Sequence, residues 1–272
     1  MNRVMQSVSG LLVLGISAAA IALATAQDNT PGKPFEPRQG QPGKDVIWVP
    51  TPEATVQKML DVAKATPDDY AIDLGSGDGR MIIAAAKRGI RGHGVEYNPD
   101  MVEYARKKAA EAGVSDKATF IQGDMYEADI SKATVLPLFL LSENLERLVP
   151  NFLKLKPGTR IVINGYQIYG WQPDLTTQAE GDCGYWCTVH LYIVPAQIGG
   201  AWRIGEQTLT VKQEYQKISG TLGNQPIENG VIRGDEVSFS IGRTEYSGRI
   251  AGGEISGRTK GARSDAWSAR KG

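Results

Sequence analysis

Apolar and polar positions follow two different periods along the first two thirds of the chain. Short apolar runs alternate with longer stretches in which apolar residues recur every three or four positions, as in an amphipathic helix. The runs predict strands at residues 70–72, 90–95, 118–122, 133–136 and 160–164, and the periodic stretches predict helices at 52–63, 80–87, 99–112 and 145–155. This alternation predicts an α/β fold, a doubly wound, mostly parallel Rossmann-like sheet that binds ligands at the carboxyl ends of its strands. Residues 190–194 would add a late, antiparallel edge strand.

The pattern changes after Pro195. From about Gly199 helical periodicity ends, and short β-prone pieces alternate with glycine turns. Residues 230–238 align with residues 248–256, which predicts two successive hairpins with Gly-Asp and Gly-Gly turns. Residues 199–272 are therefore predicted to form a small antiparallel β domain, either a stabilising appendage or a surface that binds substrate or a partner.

The first residues resemble a secretory leader. Residues 11–23 are an apolar core, and Ala24-Thr25-Ala26 is a small-x-small cleavage pattern. A cleaved leader at 1–26 would place the protein in the periplasm or outside the cell. The alternative is an uncleaved membrane anchor, since residues 4–27 are uncharged and long enough to span a bilayer. Residues 27–47 are rich in Pro and Gly and are interpreted as a flexible linker, and the ligand-binding domain is assigned to 48–198.

Charge and length narrow the range of partners. The chain has 272 residues, enough for both domains, with 30 basic and 30 acidic side chains. Because this balance gives no electrostatic footprint for nucleic acid, none is expected as a partner. A membrane would be a partner only if the N-terminal apolar segment stayed uncleaved.

Two cysteines lie four residues apart, at Cys183 and Cys187. On an extended strand their Cα atoms would be too far apart for a disulfide, whereas a turn at Gly184 would bring them within range. A disulfide there would pin a loop beside the ligand end of the sheet. Two ordinary core cysteines are the alternative. A metal is not expected, because the two thiols and His190 make an incomplete ligand set.

A glycine loop joins the first predicted strand to the next helix. Asp73 stands before three alternate glycines, Gly75, Gly77 and Gly79, which let the backbone turn sharply and approach a ligand closely. A dinucleotide loop would read G-x-G-x-x-G, and a phosphate loop would end in Gly-Lys-Ser/Thr. Here the third glycine comes one residue early and no lysine follows it. An acidic residue before this spacing suits a ligand with a cationic amino acid end.

These residues resemble motif I of the class I S-adenosylmethionine-dependent methyltransferases. The resemblance implies that Asp73, Gly75, Ser76, Gly77, Asp78 and Gly79 bind S-adenosylmethionine as cofactor. Downstream, Glu96 ends the second strand at the place where the family binds the ribose hydroxyls. Asp124 and Met125 follow the third strand, where the family places an aspartate against the adenine amino group and the next side chain against the ring.

A narrower resemblance covers residues 48–195. Val49-Pro50-Thr51-Pro52, the glycine loop and residues 156–160 are similar to the ATP-synthase c-subunit lysine methyltransferases, and suggest an exported bacterial branch of that family. The resemblance implies that Val49, Pro50 and Thr51 also lie over the cofactor, and makes protein lysine the first acceptor to test. Relatives with this pattern carry His-Asp-Phe after the fifth strand, where this chain has Asn164-Gly165-Tyr166.

Methyl transfer requires few catalytic groups from the protein. Methyl transfer from a sulfonium is an in-line displacement that positioning alone can accelerate, so no catalytic residue is assigned. Residues 136–139 replace the Asn/Asp-Pro-Pro-aromatic element of adenine methyltransferases, which argues against base methylation. The acceptor is expected near residues 139–143, 166–171 and the cysteine loop, and a small molecule or lipid is an alternative to lysine. A different hypothesis is an exported binding protein that keeps the fold without catalysis.

Overall fold

The computed structural model describes residues 35–261 and 264–272, so the predicted leader lies outside the described residues. A seven-stranded sheet forms the first part of the fold, in the order β3-β2-β1-β4-β5-β7-β6. Its strands are β1 (Tyr70–Leu74), β2 (Arg91–Glu96), β3 (Ala118–Gln122), β4 (Val135–Leu138), β5 (Arg160–Asn164), β6 (Leu175–Gln178) and β7 (Thr188–Ile193). The helices are α1 (Glu53–Val62), α2 (Arg80–Lys87), α3 (Pro99–Glu111) and α4 (Ser142–Phe152).

The first five strands are parallel, and their order reverses at β1. Apolar side chains cover both faces of this sheet, because helices return the chain from the end of one strand to the start of the next. One core cluster joins β1, β4 and β5 to helices α1, α2 and α3, and a second cluster on the opposite face includes α4. The second cluster contains Leu74 and Leu138, the last residues of β1 and β4, and so supports the carboxyl ends where open α/β sheets bind ligands. The predicted fold class is confirmed.

The edge of the sheet differs from its prediction. The late strand β7 is antiparallel to β5, as expected, but it is not the edge, because β6 pairs with its outer side. Residues 175–178 have only polar residues after Leu175 and are mostly exposed, so no apolar run marked them as a strand. Helix α4 begins three residues earlier than its apolar spacing indicated, at Ser142.

The second part of the fold is a separate antiparallel sheet. Its strands are β8 (Gly200–Ile204), β9 (Gln207–Glu214), β10 (Lys217–Leu222), β11 (Gln225–Pro226), β12 (Glu228–Arg233), β13 (Glu236–Ile241), β14 (Thr244–Ala251), β15 (Glu254–Lys260) and β16 (Ala266–Lys271). Because β9 pairs with both β8 and β10, eight of these strands close into a ring around an apolar core. The two repeated segments form the predicted hairpins, with turns at 234–235 and 252–253.

The two sheets meet at the loop between β5 and β6. Tyr215, in the turn after β9, stacks on Trp171 with ring centroids 5.1 Å apart. Beside it, Gln216 Nε2 donates to the backbone oxygen of Gln172 at 2.6 Å. Trp171 is fully buried, so the closed sheet holds one end of a loop whose other end carries Tyr166. In the part of the chain that the structure describes, no helix is long and apolar enough to cross a membrane.

Candidate active site

The glycine loop has the conformation that its spacing predicted. Gly75, Gly77 and Gly79 have φ values of 74°, 54° and 81°, a left-handed region that favours glycine. The backbone N–H groups of Gly75 and Ser76 both donate to the carbonyl of Val95, at 2.8 and 3.0 Å. The loop is therefore fixed against the neighbouring strand before any ligand binds.

Glu96 lies at the carboxyl end of β2, and its carboxylate accepts hydrogen bonds from the glycine loop and from the residue before α3. Its Oε2 accepts from the Gly77 N–H at 3.0 Å, and its Oε1 accepts from the Asn98 N–H at 2.9 Å. Each carboxylate oxygen has two lone pairs, so the group keeps acceptor capacity for a ligand's hydroxyls. The side chain of Asn98 in turn caps α3, accepting from the Asp100 N–H at 2.9 Å.

Asp73 and Ser76 place buried polar groups inside the loop. Burial raises the pKa of the Asp73 carboxyl well above its usual range, and the carboxylates of Glu96 and Asp78 raise it further. The Ser76 hydroxyl is buried without a hydrogen-bond partner among the described residues. A ligand that brings a cation and a polar group to this cleft would satisfy both side chains.

Asp78 and Thr51 are tied together by Arg80. The guanidinium of Arg80 forms a forked pair with the Asp78 carboxylate, at 2.9 and 2.6 Å, and donates to the Thr51 carbonyl at 2.8 Å. These contacts hold the chain before α1 against the loop. The cleft formed here is lined by Val49, Pro50, Thr51, Asp73, Gly75, Ser76, Asp78 and Phe139, among others.

A cavity of about 380 Å³ adjoins this cleft and contains the remaining predicted positions. Glu96, Asp124 and Met125 line it, together with Val49 and Gly75. Asp124 Oδ1 accepts from the Tyr126 N–H at 2.9 Å, and its other oxygen pairs with Lys44. Lys44, followed by the Tyr126 N–H, lowers the pKa of Asp124, which keeps this carboxylate ionised. Gly77 and Gly79 line neither cavity nor cleft and shape the loop instead.

We call residues 35–47 the N-terminal strap, and residues 41–47 of it form one wall of the cavity. Pro42 and Ile47 form an antiparallel bridge, and Lys44 reaches Asp124 while lying 4.9 Å from the ring centroid of Tyr97. The strap is part of the 27–47 segment that the sequence predicted to be a flexible linker, and the structure gives this part of it defined contacts. The proline and glycine content of the segment indicated a spacer. The contact between Lys44 and Asp124 could not be predicted in the same way, because these side chains are 80 residues apart in sequence.

Three aromatic rings line the cavity beside the end of β4. Trp186 lies 4.8 Å from Phe139 and 5.9 Å from Tyr166, and Phe139 lies 6.0 Å from Tyr166, measured between ring centroids. We call these residues the aromatic triad. Phe139 also lines the cleft at Asp73, so the triad stands where cleft and cavity meet. The sequence marked all three segments as near the acceptor but could not show that the rings touch.

A disulfide supports the triad. Cys183 and Cys187 are bonded, with Cα atoms 5.0 Å apart, and the turn that permits this is at Gly184, whose φ is 51°. Trp186 lies inside this five-residue loop, and its carbonyl accepts from Thr55 Oγ1 of α1 at 2.8 Å. Of the two alternatives for the cysteines, a disulfide or two ordinary core cysteines, the structure contains the disulfide.

The residues present fit S-adenosylmethionine. The cleft offers an acidic group and an unpartnered hydroxyl for an amino acid end, while Glu96 and Asp124 offer acceptors for a ribose and an exocyclic amine. Gly75, which lines both cleft and cavity, leaves the loop backbone free of a Cβ where such a ligand would approach. We expect the cofactor to lie across cleft and cavity, with the triad at the junction.

Comparisons with known proteins agree with this assignment. Residues 73–175 match the family model described as the ANTKMT methyltransferase domain. A protein-lysine N-methyltransferase of Saccharolobus islandicus is 42% identical over 153 residues, covering 55% of this chain and 94% of the relative. The mouse ATP-synthase c-subunit lysine N-methyltransferase is 33% identical, covering 57% of this chain and 59% of the relative. A crystal structure described as an RNA methyltransferase from Salinibacter ruber, in complex with S-adenosyl-L-homocysteine, is 46% identical with a TM-score of 0.51, covering 55% of this chain and 96% of that one.

Proposed function

This chain belongs to the ANTKMT methyltransferase family of S-adenosylmethionine-dependent enzymes, and we propose that it methylates the ε-amino group of a protein lysine. The aromatic triad is the observation that carries the proposal. Stacked and edge-on rings present negative π faces, which attract an ammonium group and the methylene stem of a lysine. Two of the relatives are named for lysine methylation, which supports the same acceptor.

The triad's position suits a displacement at the junction of cleft and cavity. When bound, the cofactor would supply an electrophilic methyl group and leave as the neutral thioether. The lysine ammonium would first lose a proton to water, so that the nitrogen lone pair could form the new C–N bond as the methyl–sulfur bond breaks. Phe139 lines both spaces, so an amine held among the rings lies beside the place where the cofactor's amino acid end is expected. Holding the nucleophile in that geometry, away from water, supplies most of the acceleration that such a reaction needs.

The acceptor class can be tested by label transfer from methyl-labelled S-adenosylmethionine to separated cell-envelope and cytosolic fractions, with the full chain as enzyme. Hydrolysis of the labelled material distinguishes the acceptors. We expect Nε-methyllysine as the labelled product. Label recovered in methylated nucleosides, lipid or small molecules, or in no fraction, would contradict the proposal.

The role of the triad can be tested with two substitutions in one disulfide loop. Trp186→Leu should lower kcat/KM for lysine methylation by about 30-fold, because a desolvated cation–π contact contributes about 2 kcal/mol. The control is Tyr185→Leu, since Tyr185 is 99% exposed and next to Trp186 in the same loop. This variant should keep the wild-type rate. Equal losses in both variants would assign the effect to the loop as a whole.

We propose further that the protein is exported to the periplasm or secreted, with a leader cleaved after Ala26. The leader pattern supports export, and so does the Cys183–Cys187 disulfide, because such bonds persist in oxidising compartments. Mass spectrometry of the N-terminus, in protein recovered from separated cell compartments, tests the proposal. A chain that begins at Met1 and is found in the cytoplasm would refute it.

A further inference from the structure

We infer that residues 40–48, which we call the lid hairpin, open and close over the cofactor cavity, and that the ion pair between Lys44 and Asp124 latches them shut. The cofactor then enters and leaves only while this ion pair is broken. The inference concerns the binding step that precedes methyl transfer. It rests on the S-adenosylmethionine site described above and does not depend on which acceptor the enzyme uses.

The lid hairpin holds its own shape through backbone hydrogen bonds. Its two ends are joined, because the Gly40 N–H donates to the Trp48 carbonyl at 2.8 Å and the Trp48 N–H donates to the Gln41 carbonyl at 2.9 Å. Near its tip, the Gly43 N–H donates to the Val46 carbonyl at 2.9 Å. All three bonds lie within the hairpin, so it can move as one body without breaking them.

The lid hairpin separates the cavity from solvent. Residues 41–48 line the cavity, and Pro42, Gly43, Lys44 and Asp45 are also exposed to solvent. A segment with one side on a cavity and the other on solvent is a single chain thick. The cavity of about 380 Å³ beneath it has the size of a small-molecule site. A ligand bound in that space therefore lies under the hairpin.

The base of the lid hairpin is fixed and provides a hinge. The indole of Trp48 rests on the glycine loop, since a Cβ on Gly77 would collide with it. Before the hairpin, the ring of Phe35 meets Tyr104 of α3 edge-on, with ring centroids 6.3 Å apart. The chain is thus held on either side of the hairpin, and the tip is the part that can swing.

Ion pairs attach the tip to the rest of the domain. Lys44 pairs with Asp124 and lies over the ring of Tyr97, while Asp45 lies 4.0 Å from Arg147 of α4. None of the three apolar core clusters among the described residues includes a residue of the hairpin. Water and salt screen ion pairs that are partly exposed, so each contributes little free energy. The tip is therefore held by contacts weak enough to break and re-form, as a lid requires.

The latch closes on a residue of the cofactor site. Asp124 Oδ2 accepts from Lys44, and Oδ1 accepts from the Tyr126 N–H. Each oxygen keeps a second lone pair, so the same carboxylate can also accept from the exocyclic amine of the cofactor. The latch can therefore form with the cofactor in place as well as without it, and it stabilises the closed hairpin in both states.

The test measures the rates at which the full chain binds and releases S-adenosyl-L-homocysteine, by stopped-flow or surface plasmon resonance. This ligand has no sulfonium charge and no methyl group to transfer. Lys44→Met keeps a long side chain and removes the charge. We expect the association and dissociation rate constants both to rise by about fivefold, the effect of losing one partly exposed ion pair. Because both rates rise together, Kd should stay within about twofold of the wild-type value.

Lys108→Met is the matched control. Lys108 also pairs with a carboxylate, that of Glu111 at 3.0 Å, and also lies over a tyrosine ring, that of Tyr104 at 5.5 Å. It stands on α3, however, outside the cofactor cavity. Both rate constants of this variant should equal those of the wild type.

The pattern of rates separates the latch from its alternatives. A faster dissociation alone, with weaker binding, would mean that Lys44 contacts the ligand directly. A faster association alone, with tighter binding, would mean that Lys44 competes with the ligand for Asp124. Either pattern, or unchanged rates, would overturn the inference while the cofactor assignment stands. If the wild type did not bind the ligand at all, the cofactor site itself would be refuted.

Discussion

Asp73→Asn should weaken S-adenosylmethionine binding by about 100-fold, or about 2.7 kcal/mol, because a buried charged contact is lost without a change in shape. Asp73 is 3% exposed at the carboxyl end of β1, and its neighbours Gly75 and Ser76 line the same cleft. An asparagine can fill that space but cannot balance the ammonium group of the cofactor's amino acid end.

Titration calorimetry measures the loss directly. Asp116→Asn is the control, because Asp116 is exposed, pairs only with its neighbour Lys117 among the described residues and lies outside cleft and cavity. Its affinity should equal that of the wild type. If Asp73→Asn also bound with wild-type affinity, the acidic residue before the glycines would have no part in recognition.

The Asp73→Asn substitution should also remove the pH dependence of cofactor binding. Burial raises the pKa of Asp73, so between the ordinary carboxyl pKa and the raised value the folded chain holds a proton that the unfolded chain has released. Over that range this group makes folding less favourable as pH rises. A cationic cofactor favours the ionised carboxylate, so binding should release a proton and strengthen with pH. Calorimetry in two buffers of different ionisation enthalpy should detect proton release in the wild type and none in Asp73→Asn.

Gly79→Ala should lower the free energy of unfolding by about 3 kcal/mol, of which about 1 comes from the left-handed backbone and the rest from overpacking. The residue has a φ of 81°, and a Cβ on it would lie 2.5 Å from the Phe120 ring and 2.9 Å from the Ala105 Cβ. Both neighbours belong to the core beneath α2 and α3, so they cannot move without disturbing that core.

Gly113→Ala is the matched control for strain alone. Its φ is 68°, and no described residue outside its chain neighbours lies within 4 Å of a Cβ built there. This variant should lose only about 1 kcal/mol. The Tm difference between the two variants, measured by calorimetry, isolates the steric term. Equal Tm values would mean that Gly79 is required only for its backbone angle.

The glycine loop and the strand-end acids were within reach of sequence reasoning because they depend on local order. A left-handed turn favours glycine, and Glu96 and Asp124 lie at or just after the ends of strands whose carboxyl ends meet at one edge of a parallel sheet. Lys44 illustrates the opposite case. Nothing near it in sequence marks it as part of a site, since its partner Asp124 is 80 residues away and only the folded chain brings them together.

The surroundings of Asn164 and Trp186 were also only partly predictable from the sequence. The sequence placed Trp186 in a loop near the acceptor and Asn164 at the end of the fifth strand. Neither residue type nor spacing indicated that Asn164 would be buried without a partner among the described residues, or that Trp186 would touch Phe139 and Tyr166. The sequence predicted the hairpins of the C-terminal sheet but not its closure, because closure depends on β9 pairing with both β8 and β10.

The sequence by itself determined the α/β class, the cofactor and the positions of its binding loop, because periodicity and backbone sterics act over a few residues. The tertiary structure alone decided the N-terminal strap, the contact of the three rings and the burial of the Asn164 amide without a partner among the described residues. Those features arise from distances between segments far apart in the chain, and such distances are fixed only when the whole core packs.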